Sequence, residues 1–108
     1  MYIFINSSLG MKSGKIAAQA GHAVQACVLA NERCKNTDYT TWLRDGATKI
    51  VCKATSHQMA ELASDPSAHV IHDAGQTQVA PGSLTAIAFG PISRNSMHGR
   101  WFRDFSLL

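Results

Sequence analysis

Lys15, Gln19 and His22 stand at i, i+4 and i+7 in a segment with helical periodicity, so they fall on one stripe of that helix. The stripe starts at the helix N-terminus, where unpaired backbone N–H groups and a partial positive charge favour an anion. Lys12, beside Gly10 and Gly14, adds a second ammonium group and open backbone there. A phosphate or carboxylate is the ligand this chemistry suits. The alternative is a solvated polar face opposite Ile16, Ala20 and Ala23. A nucleotide P-loop is excluded, because Gly10-x-x-x-Gly14-Lys15 is one residue short and Ile16 stands where the magnesium-binding hydroxyl belongs.

A second constellation runs from Asp73 through Gly75, Gln76, Thr77 and Gln78 to Pro81, Gly82, Ser83 and Thr85, directly after an expected strand. Strand ends of α/β sheets are common ligand sites. An acid, hydroxyls and amides among Gly and Pro can orient a water and bind a polar substrate, although the same residue types also build ordinary turns.

These residues need a scaffold to bring them together. Tyr2 to Ile5 reads as a buried first strand, and Gly14 to about Cys34 as the main helix, with Ser13 as its cap. Thr37 or Asp38 caps a short helix through Trp42 and Leu43 that ends at Gly46. Lys49 to Lys53 is a second strand, Thr55 or Ser56 opens a helix containing Met59 and Leu62, and Asp65-Pro66 closes it. His69 to His72 and Leu84 to Phe89 complete four strands. The tail from Ile92 is either a helical turn or loop, with Trp101, Phe102 and Phe105 as a final strand or a cover. Strands alternating with helices imply an α/β three-layer sandwich, a mixed four-stranded sheet with helices on both faces.

The 108 residues suit a single domain spanning 1–108, with 45% hydrophobic and 16% charged residues giving a globular profile. Ten Lys and Arg against seven Asp and Glu leave a net charge of +3, which suits an anionic partner without requiring one. No apolar run approaches the roughly 20 residues that span a bilayer, and the first residues carry no leader signature, so a cytoplasmic protein without a membrane partner is expected. Cys27, Cys34 and Cys52 are three and lack Cys-x-x-Cys spacing, against a disulfide framework or a thiolate zinc site. The five histidines are scattered, and no metal or cofactor is expected.

The string Gly14-Lys15-Ile16-Ala17-Ala18-Gln19 with His22-Ala23, followed by Asp73-Ala74-Gly75-x-Thr77 and Pro81-Gly82-x-x-Thr85, closely resembles the type 2 peptidyl-tRNA hydrolase family. Gly90-Pro91 and Leu107-Leu108 are similar to that family's ending. The resemblance implies hydrolysis of the ester joining a peptide to the terminal ribose of tRNA, without metal or organic cofactor, in a fold that is frequently dimeric. It places the family's functional lysine, aspartate and threonine on Lys15, Asp73 and Thr77. Gln19, His22 and Thr85 match positions lining the same cleft, with Lys12, next to the lost lysine at Ser13, and the backbone N–H groups of the Gly75 loop expected to bind substrate beside them. The chain departs from the family where a basic residue and an aspartate become Asn6 and Ser8, and where a lysine becomes Ser13. These losses point to weaker phosphate contacts, and to a second reading, an inactive relative that binds tRNA or a protein as an adaptor. The segment Ala54 to Ala68 is shorter than the family's.

Overall fold

The computed structural model describes residues 1–34, 36–74 and 79–108. In chain order the elements are β1 (Tyr2–Asn6), a 3-10 turn (Ser7–Leu9), α1 (Ser13–Cys34), α2 (Thr37–Arg44), β2 (Ile50–Ala54), α3 (Ser56–Ala63), β3 (His69–His72), β4 (Leu84–Phe89) and α4 (Met97–Phe102). The strands form one sheet in the order β2-β1-β4-β3, with β1 parallel to β2 and antiparallel to β4, and β3 antiparallel to β4. The expected mixed four-stranded α/β architecture is what the chain adopts.

All five residues of β1 are buried, as its apolar run and central place require. Alternation divides them between two layers. Ile3 and Ile5 face α1, packing with Ala23, Cys27, Ala86 and Ala88. Tyr2 and Phe4 face the other way, toward Met59 and Leu62 of α3, Phe89, and Phe102 of α4. On that second face Phe4 lies with ring centroids 4.9 Å from Phe102, 4.9 Å from Phe105 and 5.9 Å from Phe89, all edge-on, the arrangement aromatic quadrupoles favour.

Caps set the helix ends. Thr55 and Gln58 make a reciprocal capping box on α3. The cap of α2 is Asn36, one residue before the expected Thr37 or Asp38, and its side chain accepts from Tyr39 N at 2.8 Å. Ser13 is the first residue of α1 rather than its cap. In the tail, Ser96 caps α4. Trp101, Phe102 and Phe105 form a cover, and the last residues run beside β2, with Leu107 bridged to Cys52 and Leu108 N donating to Val51 O at 3.0 Å.

The pairing of β3 with β4 contains one irregularity. From Ile71 to His72, β3 advances one residue, while its partner on β4 goes from Ala86 to Leu84, so Thr85 is the extra residue of a β-bulge. A bulge re-aims a side chain. Thr85, which simple alternation would group with Ile87 and Phe89, instead meets Gln19 of α1.

Candidate active site

The inner face of α1 is the stripe Gln19, Ala23 and Cys27, each buried against the sheet, and Lys15 begins it one turn earlier. The expectation that Lys15, Gln19 and His22 form a polar stripe opposite Ala23 is therefore corrected. A spacing of four keeps Lys15 and Gln19 on the same face as Ala23, whereas His22, at i+7 from Lys15, turns outward and is exposed. His22 makes no hydrogen bond or ion pair with the described residues.

Asp73 follows the last residue of β3, and its backbone closes the loop base. Asp73 N donates to Ser83 O at 2.8 Å and Gly82 N to Asp73 O at 2.9 Å, with Gly82 at a φ of 79° that glycine adopts without strain. The Asp73 side chain is 3% exposed and forms an ion pair and hydrogen bond with the Lys15 ammonium, itself 10% exposed. Helix α1 has no acidic residue in its first turn. An ammonium there opposes the helix dipole, and Asp73 supplies from another element the negative charge that the N-terminus favours.

Next to this pair the Thr85 hydroxyl donates to Gln19 Oε1 at 2.5 Å and lies 3.3 Å from Ile71 O. Both residues are buried, and among the described residues no buried side-chain polar atom lacks a partner. Two polar contacts, one ionic and one neutral, thus join α1 to the ends of β3 and β4 along a single helix face.

Asn6, which the sequence marks only as a lost basic position, has a structural role. Buried at the end of β1, it donates through Nδ2 to Leu84 O at 2.9 Å and Ser56 Oγ at 3.2 Å, while its Oδ1 accepts from Ser8 N at 3.0 Å. Ser8 Oγ accepts from Ser56 N at 3.0 Å. The two departures together bind the strand end, the 3-10 turn and the start of α3. The position of Asn6 at a strand end beside a cap-forming Ser-Ser pair is the available signal. Ser13 and Lys12 are exposed at the entry to α1, where Ile16 N donates to Lys12 O at 2.9 Å. Gly75 and Thr77 lie outside the described residues.

A short open mixed sheet flanked by helices, with a lysine–aspartate pair between α1 and the end of β3, is the framework of a small α/β protein. The family profile described as Peptidyl-tRNA hydrolase PTH2 matches residues 1–108. The peptidyl-tRNA hydrolase of Methanocaldococcus jannaschii is 37% identical over 97 residues, covering 84% of each chain. That of Methanococcus maripaludis strain C7 is 37% identical over 112 residues, covering 98% of this chain and 96% of its own. A probable peptidyl-tRNA hydrolase 2 of Schizosaccharomyces pombe is 37% identical over 97 residues, 84% of this chain and 47% of that longer protein. The chain belongs to the PTH2 peptidyl-tRNA hydrolase family.

Proposed function

We infer that the chain cleaves the ester of peptidyl-tRNA at the site between α1 and the ends of β3 and β4, releasing the peptide acid and free tRNA. The observation that carries this reading is the buried Lys15–Asp73 pair at the N-terminus of α1. Hydrolysis of an ester needs a positioned water, an acceptor for its proton and stabilisation of the oxyanion. Asp73 accepts a hydrogen bond from the water and takes its proton, directly or through Thr77. The water oxygen bonds to the ester carbon, and the ribose oxygen leaves with a proton. Lys15 and the N–H groups of α1 face the negative charge that grows on the carbonyl oxygen, or hold the neighbouring tRNA phosphate. Gln19 and Thr85 hold α1 at the depth that brings Lys15 to Asp73.

Lys12, His22 and Gly75 belong to the substrate-binding part of this reading. A cytoplasmic setting accompanies a translation substrate and suits three unpaired cysteines. Leu29 and Leu43, 57% and 48% exposed on α1 and α2, are apolar surface that a homodimer would cover.

Release of N-blocked aminoacyl groups from tRNA by wild type, Asp73→Asn and Lys15→Ala tests the assignment. Loss of the general base lowers turnover by about 10²–10⁴-fold, with folding checked by circular dichroism. Undiminished turnover in both variants rejects the site. The adaptor reading is not favoured by the family match, and tight tRNA binding by wild type with no cleavage would restore it.

A further inference from the structure

On the sheet face opposite α1, the start of β1 and the tail around α4 border an open cavity of about 200 Å³, whose walls include Tyr2, Arg94, Phe102, Arg103, Phe105 and Leu107. No carboxylate lines it, and neither arginine forms an ion pair with a described residue. Tyr2 is 4% exposed, and its ring is set by Phe102, with centroids 5.1 Å apart. The Tyr2 hydroxyl has no hydrogen-bond partner among the described residues, yet no polar side-chain atom there is both buried and unpartnered. The hydroxyl therefore keeps contact with solvent, and Tyr2 is one of the residues lining the cavity. Arg94 and Arg103, both exposed, thus border the same pocket as Tyr2, beside the aromatic rings of Phe102 and Phe105.

We propose that this cavity holds a phosphate of the tRNA backbone, gripped by Arg94 and Arg103 with the Tyr2 hydroxyl as a third donor. Guanidinium groups match phosphate oxygens with paired N–H donors, and the neighbouring aromatic rings strengthen those charge-assisted bonds by lowering the local dielectric. The position makes it a separate anchor. Tyr2 lies four residues before Asn6 on β1, about 13 Å along the strand, and faces away from α1. The molecule measures 38 × 27 × 23 Å, so the two places lie within a few tens of ångströms of each other on opposite sides of the sheet, a span that an RNA as large as tRNA exceeds. The anchor also supplies positive charge that the positions at Asn6 and Ser13 do not.

This inference rests on tRNA being the ligand, and binding of deacylated tRNA separates its failure from failure of the hydrolysis reading. Arg94→Gln/Arg103→Gln and Tyr2→Phe, each checked for an unchanged melting temperature, are compared with wild type by fluorescence anisotropy across a salt series. The double variant binds about tenfold more weakly, and the slope of log affinity against log salt falls by about 0.7–0.9, the contribution of one phosphate. Tyr2→Phe weakens binding several-fold with the slope kept, because a neutral donor releases no counterion. Inorganic phosphate shifts the Arg94 and Arg103 side-chain Nε signals in NMR spectra of wild type, and tRNA displaces it. Unchanged affinity and slope in the double variant overturn the proposal, as does phosphate that tRNA fails to displace, which would mark a site for a free anion.

Discussion

The Thr85 hydroxyl donates to the side-chain carbonyl of Gln19 at 2.5 Å, joining the bulge of β4 to the inner face of α1. The bond spans 66 residues of sequence, and both partners are sealed from solvent. Removing one partner leaves the other buried and unsatisfied, which costs more than the bond itself contributes.

Thr85→Val keeps the shape and deletes the hydroxyl. Its expected cost is about 1–3 kcal/mol in denaturant unfolding, the penalty of an orphaned buried amide. Adding Gln19→Met recovers most of that loss, since two apolar partners leave nothing unsatisfied. Additive losses in the double variant would show that the two side chains do not act as a unit.

The Lys15–Asp73 pair obeys the same logic, with full charges in place of dipoles. Lys15→Met removes the counter-ion of a carboxylate whose side chain is 3% exposed, and loss of one partner of a buried pair costs about 3 kcal/mol. Replacing both, Lys15→Met with Asp73→Leu, restores much of the stability while abolishing hydrolysis. Urea midpoints and turnover measured on wild type, the two single variants and the double variant separate structural from chemical loss.

The turn after α3 carries an acid-sensitive contact. Asp65 accepts from Ser67 Oγ at 2.6 Å and Ser67 N at 2.9 Å, and its other oxygen meets His98 Nε2 at 2.8 Å. The Ser67 hydroxyl, then its backbone N–H, and then His98 hold the Asp65 carboxyl at about 2, below its usual 3.8. A depressed folded value means that this stabilisation is complete above pH 3.8 and is lost as pH falls toward 2. Ser67→Ala therefore lowers stability by about 1 kcal/mol near neutrality, a discounted figure for a partly exposed group. The gap from wild type narrows below pH 4, as thermal melts over a pH series will show. A constant gap at every pH would remove the linkage.

Much of this arrangement is legible in the residues alone. The spans His69–His72 and Leu84–Phe89 agree with the sequence reading, because β-branched and apolar runs there are bounded by Pro and Gly punctuation. Gln19 is harder to read. Glutamine on an amphipathic helix is ordinarily solvated, and its burial depends on a partner 66 residues away. That partner is aimed by a bulge, and the run Ser83-Leu84-Thr85 shows no local sign of one. The cap of α2 falls one position from the expected place because Asn36, Thr37 and Asp38 are all good cap residues. Helix α4 is obscured by Gly99, a weak helix former that is required there, since a Cβ would lie 2.4 Å from Ser93 O. Asn6 looks like a deficit in charge, while its latch involves residues 50 and 78 positions distant.

Beneath α1 the core interleaves three alanines with Ile3, Ile5 and Cys27. Ala23, Ala86 and Ala88 are fully enclosed beside these larger side chains, and their methyl groups help to set the spacing between helix and sheet. Beneath α3 the contacts are Met59, Leu62 and a set of phenylalanines, which can shift rotamers and re-pack. The interior is thus stiff on one side and forgiving on the other. A single methylene added among the alanines has nowhere to go except into the height of α1, and that height carries Lys15. The residues with the least chemistry of their own act as the shim under the lysine, and drift in their volume would be felt first at the ester.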